Sequence, residues 1–434
     1  MNKKIFLLGL LFIFSTLAKA GPTIGVFLDS TIVSSESETF PSFWVSGQGG
    51  SQPVVADVHV ALVSPSGKIY EFPNWNTKLK PWLPHFTIRS GLKVNPIRLS
   101  DLGKLPFQLT PGAWRLAGAL TKPGTLEFIS LDIQSFFVSP PASSDGKNLR
   151  IGSISASAIK SASGGTLGIP VNVSTNKSVS GSFLEICINP DLKKVSSEEL
   201  SDLARDQKID ECRIIKVDSN IPSVEPTPPA CETSFLDAGP QLTFASSKAG
   251  SVPVPQDANS ASLGLLTYRT DLPESFFQSE ATYTLSGPGG PDVGPFKTRL
   301  RIAPLSVTSP NLLSGTATLN PNAPLEVRWN GQGGQGDVMV MLTAVSINVD
   351  PNSPGDSSST TRILRCRFAD DGNGTVPGNL ISEFSQGLGG GFLTPTITMS
   401  VDRQRTAFFS TGDNSLDYGI FTLSTGESGP LQLQ

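Results

Sequence analysis

Residues 54–63 read VVADVHVALV, and this run restricts the fold more than any other stretch of the chain. Val54, Ala56, Val58, Val60 and Leu62 alternate with Val55, Asp57, His59, Ala61 and Val63, a period of two. A helix would scatter those apolar positions around its axis, whereas a strand places them all on one face. Ser66 and Gly67 then supply a hairpin turn, and Ile69 and Tyr70 begin a returning strand. Further on, LPFQLTPGAWRLAGAL turns at Pro111-Gly112 and extends through Trp114, Leu116 and Leu120, and LEFISLDIQSFFV closes the unit near Val138. Short alternating strands with turn signals between them predict a β-sandwich over residues 21–140. The segment SPPASSDGK that follows reads as a linker.

The same rhythm returns twice. Residues 149–302 contain the strand-like LGIPVNVST, GSFLEICIN, DAGPQLTF, LGLLTYRT and ATYTLSG, with a Pro-rich connector, VDSNIPSVEPTPPA, between the second and third. One short helix is predicted at VSSEELSDLARD, where Ser196 and Glu199 form a capping box and Leu200, Leu203 and Ala204 recur at helical spacing. Residues 303–434 offer PLEVRWNGQGGQGDVMVMLTAV, ILRCRF, LTPTITMSV, RTAFFSTG and YGIFTLSTG. The expected fold is therefore all-β, three tandem Ig-like β-sandwich domains with one short helix in the middle domain. Gly 42, Pro 35 and a charged fraction of only 16% fit short strands and tight turns. Trp114, Tyr283 and Tyr418 each open a late strand. A tyrosine there can bond back to the backbone, which predicts that role for Tyr283 and Tyr418 and not for Trp114, which has no hydroxyl.

Residues 1–20 read as a secretory signal peptide, with Lys3 and Lys4 ahead of an apolar core and a small-x-small site at Ala18-Lys19-Ala20. Its removal takes three lysines and moves the formal charge from −4 to −7. A mildly acidic chain lacks the basic footprint of a nucleic-acid binder, and no later run is long and apolar enough to span a membrane. The expected location is export to the periplasm, cell surface or medium. In that setting the four cysteines can pair. Cys187, Cys212 and Cys231 cluster, so one bridge is expected among these three, leaving one of them and the distant Cys366 buried or unpaired.

Two blocks are more specific than composition. FLDAGPQLTF is followed at a distance by GPGGPDVGPFKTRLRI, and PLEVRWNGQGGQGDVMVMLTAV by RCRFADDGNGTVPGNLI. Together they resemble the paired C-terminal modules of secreted bacterial multidomain proteins built of Ig-like β-sandwiches, in which a GGxDVGxF turn and a TVxW strand recur in this order. The resemblance covers about residues 230–434, and it implies a fold and an exported location but no reaction.

Candidate chemistry is sparse. Asp57 and His59 share a strand face, but no nucleophile elbow accompanies them, and they read as the solvent face of a half-buried strand. The runs DPNSPGD (Asp350–Asp356) and DDGNG (Asp370–Gly374) could offer oxygen to calcium, but neither has EF-hand spacing and both read as turns. Trp75 and Trp82, with Lys78 and Lys80, form a proline-bounded loop able to stack sugar rings or grip a partner, or else to close the sandwich edge with its indoles. Lys297, Arg299 and Arg301 put three cations on one strand face, which reads either as a grip on an acidic polysaccharide or as a solvated row that deters edge pairing. GPGGPDVGPF lacks a lysine, and three prolines delete donors, so it is expected to bend the chain and aim Phe296 into the core. No catalytic residue, metal ligand or cofactor is predicted. The expected function is that of an exported, non-enzymatic structural or adhesive protein, its partner a protein or polysaccharide at the cell surface and not nucleic acid. A carbohydrate-binding protein using Trp75 and Trp82 is the alternative, and a secreted hydrolase a more distant one.

Overall fold

The computed structural model describes residues 21–28, 32–34, 43–99, 105, 107–139, 148–164, 170–186, 207, 209–218, 234–261, 265–331, 336–349, 357–386, 396–413 and 415–434. The signal peptide, the helix expected at residues 195–206, Cys187, Cys231 and the acidic run 350–356 lie outside these residues. The chain divides into two compact units, one formed by Met1–Pro141 with Gln332–Gly336 and the other by Ala142–Gly331 with Asp337–Gln434.

The first unit is a sandwich of two sheets. One holds β1 (Thr23–Leu28), β3 (Phe43–Gln48) and β7 (Lys93–Arg98). The other holds β2 (Ile32–Ser34), β9 (Phe128–Ser139), β8 (Gly112–Thr121), β4 (Val54–Val63) and β5 (Ile69–Glu71), in that order, with β6 (Leu83–Ile88) also paired to β4. Strand β4 covers the residues its alternation predicts. Its inner face, Ala56, Val58, Val60 and Leu62, meets Ile24, Val26 and Leu28 of β1 and Leu116 and Leu120 of β8 in one core. Complete burial of a side chain such as Leu62 or Leu116 contributes about 1.5–3 kcal/mol.

The second unit is organised by a ten-stranded sheet. Its path is β12 (Glu211–Asp218), β23 (Ser357–Ala369), β22 (Asp337–Val349), β25 (Thr396–Phe409), β26 (Tyr418–Leu433), β10 (Leu149–Ser163), β11 (Asn172–Ile186) and β13 (Ser234–Phe235). Two further strands, β16 (Thr267–Asp271) and β20 (Thr318–Leu319), pair with β11 and β26. A four-stranded sheet, β15 (Gly250–Pro255), β14 (Gln241–Ser246), β17 (Thr282–Gly287) and β18 (Phe296–Arg301), shares a core with one half of the long sheet. The other half shares a second core with β19 (Val307–Ser309), β21 (Leu325–Trp329) and β24 (Asn373–Val376). Two helices are described, α1 (Ala258–Ala261) and α2 (Gly378–Ser385), and α2 buries Ile381 and Phe384 in the second core.

The chain passes from the first of these cores to the second between Ile302 and Leu305, within the same compact unit. The long sheet spans both cores. Strand β26 has 16 residues, roughly 50 Å of extended chain, and its two ends serve different cores: Phe421 and Leu423 the first, Leu431 the second. The parallel pairing of β26 with β10 runs from Ile151↔Tyr418 to Ser161↔Ser428, joining residues far apart in sequence.

The described disulfide corrects one part of the cysteine expectation. Cys212 is bonded to Cys366, so the distant cysteine and the member of the central trio it meets are paired with each other, while Cys187 and Cys231 lie outside the described residues. Strand β12 pairs antiparallel with β23 so that these two cysteines stand directly opposite, a long-range registration that cysteine spacing does not encode.

Candidate functional site

The loop after β5 places the four predicted ligand residues in different settings. Trp75 is only 2% exposed and belongs to the core of the first unit. Its ring meets the edge of Phe72 at 5.2 Å, and Trp82 meets Phe72 in the same manner at 5.1 Å. The two indoles thus enclose a phenylalanine, and of the four predicted residues Lys78 and Lys80 are the exposed ones while Trp82 is half-buried. The backbone N–H of Trp82 donates to the Val58 carbonyl at 2.8 Å, which ties the loop to β4. Trp75 offers no face for a sugar, because its area is spent on the core.

Asp57 and His59 do not form a solvated face. Strand β4 is flanked by β8 on one side and by β5 and β6 on the other. Asp57 is 3% exposed; its two carboxylate oxygens accept the His85 N–H at 2.7 Å and the Gly124 N–H at 2.8 Å. The His85 bond leads in holding the carboxyl below its usual range, against the opposing effect of burial. His59 Nδ1 lies 2.6 Å from Oε1 of the buried Glu71. These side chains fasten β5, β6 and the turn at Gly124 to a central strand.

The acidic turn after β23 is likewise absorbed. Asp370 is fully buried and makes a two-point contact with Arg403, Nε to Oδ2 at 2.5 Å and Nη2 to Oδ1 at 2.9 Å, while Trp329 Nε1 donates to Oδ1 at 2.9 Å. Burial pushes the Asp370 carboxyl up, and the Arg403 contacts oppose that shift. Arg403 Nη1 also donates to the carbonyls of Ala303 and Pro304, at 3.0 and 3.1 Å. Nearby, Thr425 donates to Ala303 O at 2.9 Å, and Glu427 accepts the Val307 N–H at 3.2 Å. A polar belt thus lies along β25 and β26 where the first core gives way to the second, and it holds the connecting segment 303–307. Sequence reasoning missed this group. Its trace is the inward series Val401, Arg403, Arg405, Ala407, in which charge interrupts a buried face that then requires partners.

The GPGGPDVGPF bend meets the LDAGP segment. Asp292 Oδ2 accepts the Asp237 N–H at 2.9 Å, and Asp237 O accepts the N–H groups of Asp292 and Val293 at 3.1 and 3.2 Å. Gly289 has φ 96°, and a Cβ on Gly290 would stand 2.2 Å from Gly239 N. One glycine therefore supplies the left-handed turn and the other the close approach. Phe296 enters the core and stacks on Phe409 at 4.6 Å. The two sequence blocks interlock as a structural joint, as the bend reading expects.

Strand β18 carries the remaining candidate. Phe296 and Thr298 point inward and are buried, and Lys297, Arg299 and Arg301 are exposed on the opposite face. Arg301 Nε donates to Thr282 Oγ1 at 2.9 Å. Burial is the main cause lowering the Arg301 pKa, and Glu280 opposes the shift. Among the described residues, Lys297 and Arg299 have no ion-pair partner.

No family model matches this sequence, and no curated protein matches it. Solved structures with some likeness include a tetra-tandem repeat from the extending region of a large adhesion protein, at 10% identity over 95% of this chain and 74% of that one, with a TM-score of 0.15. The yeast delta-COP-I mu-homology domain matches at 10% identity over 66% of this chain and 99% of that one, with a TM-score of 0.17. Trypsin-activated alpha-2-macroglobulin from Escherichia coli matches at 10% identity over 94% of this chain but 34% of its own, with a TM-score of 0.15. Likeness at that level transfers no role. The protein is an all-β chain of several sheets.

Proposed function

We propose that this chain is an exported, non-enzymatic structural or adhesive protein that presents rigid sheet faces and loops to a partner at the cell surface. One observation carries the reading: the side chains a reaction would recruit are committed to internal bonds. Asp57 is held by two backbone N–H groups, His59 by Glu71, and Asp370 by Arg403 and Trp329. The bond between Cys212 and Cys366 supports an oxidising compartment, as does the leader-like N-terminus. Among the described residues no helix is long and apolar enough to cross a membrane.

Fractionation of the native cell, with cross-linking pull-down and non-reducing peptide mapping, tests this reading. The expected result is the chain outside the cytoplasm, carrying the Cys212–Cys366 peptide pair and cross-linked to a surface protein or polysaccharide. A cytoplasmic chain with both thiols free would overturn the export reading. Covalent labelling by a hydrolase-directed activity probe would overturn the non-enzymatic one.

A further inference from the structure

The outward face of the four-stranded sheet has a composition unlike its surroundings. On β18, Lys297, Arg299 and Arg301 recur every second residue, about 6.8 Å apart. Their register is fixed, because a one-residue slip would turn the buried Phe296 and Thr298 outward and the cations into the core. On β17 each cation has a hydroxyl directly opposite: Ser286 faces Lys297, Thr284 faces Arg299 and Thr282 faces Arg301. On β14, Thr243 and Ala245 continue the rows, and on β15 Pro253 and Ser251 end them. No carboxylate stands on the outward positions of these four strands. The acid that bears on Arg301 is Glu280, just before β17, and its carboxylate lies 3.7 Å from Lys248 Nζ.

Strand β18 is an edge of its sheet, and cations there also deter strand addition. Deterrence needs only charge, however, and does not account for a hydroxyl paired with each cation across a face without acids. We propose that this face binds a linear acidic polysaccharide, its carboxylates meeting Lys297, Arg299 and Arg301 and its hydroxyls meeting those of β17 and β14. The proposal rests on the non-enzymatic binding role above and names the chemistry of the partner. A nucleic acid fits less well, since the face has no aromatic side chain to stack bases and the chain is net negative. A lipid surface fits less well too, because the face presents no large apolar side chain to insert.

The test uses the full chain and polygalacturonate, with dextran, duplex DNA and anionic phosphatidylserine vesicles as comparators, by titration calorimetry at low and at 0.5 M salt. Polygalacturonate is expected to bind at about 50 mM salt and to weaken strongly at the higher salt. A Lys297→Gln/Arg299→Gln/Arg301→Gln variant with an unchanged Tm should lose about tenfold or more in affinity, and a Lys78→Gln/Lys80→Gln variant should lose none. Polygalacturonate binding that survives the triple substitution overturns the proposal, as does equal or tighter binding of DNA or vesicles. New reducing ends appearing in the polymer would refute the non-enzymatic role. If their formation also required the three cations, the binding face would stand.

Discussion

The indole N–H of Trp114 donates to the Thr110 carbonyl at 2.7 Å, closing a corner four residues long at the start of β8. Tyr283 does the equivalent in the second unit: its hydroxyl donates to the Gln278 carbonyl at 3.2 Å and accepts the Gln278 N–H at 2.8 Å. For Tyr283 the role is as the sequence predicts. The exclusion of Trp114 is corrected, because any N–H or O–H at the tip of a buried ring can hold the turn. Trp114→Phe should destabilise the first unit by about 1–3 kcal/mol, through a lost hydrogen bond and lost volume. Chemical denaturation followed by near-UV circular dichroism measures this, and an unchanged midpoint would deny the corner any structural weight.

The Arg403–Asp370 pair is buried on both sides, at 2% and 0% exposure. Removing one partner strands a charge, so Arg403→Met or Asp370→Asn should each destabilise the second unit by about 3–5 kcal/mol. The double variant should recover part of that loss, since no charge is then left unpaired. Equilibrium unfolding of the four species in a double-mutant cycle gives the coupling directly, and additive losses would contradict it.

Asp402 lies on the opposite face of β25 from Arg403, and burial pushes its carboxyl up to about 6 from 3.8. A folded value above the unfolded one means that the native state holds a proton the unfolded chain releases. Its stabilising contribution is complete below about pH 4 and is lost as pH rises to about 6, by up to about 3 kcal/mol. The difference in stability between the wild-type chain and Asp402→Asn should therefore vary across pH 4–6 and be flat above it. Thermal melts of both proteins at intervals across that range would show it, and parallel curves would rule it out.

The Cys212–Cys366 bond closes a loop with a sequence separation of 154. Replacing both residues by serine should cost about 2–5 kcal/mol, much of it through the freed unfolded chain. Because Cys366 is buried and Cys212 packs against the same core, the loss should appear as a lower unfolding midpoint of the second unit. Denaturation with and without reductant provides the measurement, and matching midpoints would exclude a stabilising role.

Local pattern made much of this molecule legible. Alternation located β4 residue for residue, the interval from Pro111 to Leu120 located β8, and the prolines of GPGGPDVGPF marked a bend. Helix α2 was missed although Ile381 and Phe384 stand three apart behind Pro377, because eight residues scarcely establish a period. For the candidate site, alternation placed Lys297, Arg299 and Arg301 on one face, but the matching hydroxyls of β17 came only with the strand register.

By itself, then, the sequence determined which residues extend, where the chain turns and which side of each strand is apolar, since backbone geometry and side-chain polarity act between near neighbours. Tertiary structure alone decided what covers each face. It buried Trp75 and Asp57, set Cys212 opposite Cys366, laid β10 beside β26, and gave Arg403 a carboxylate and three backbone carbonyls, of Ala303, Pro304 and Asn330. The reason is that burial and strand pairing depend on partners tens to hundreds of residues away, and a period of two carries no record of which partner that is.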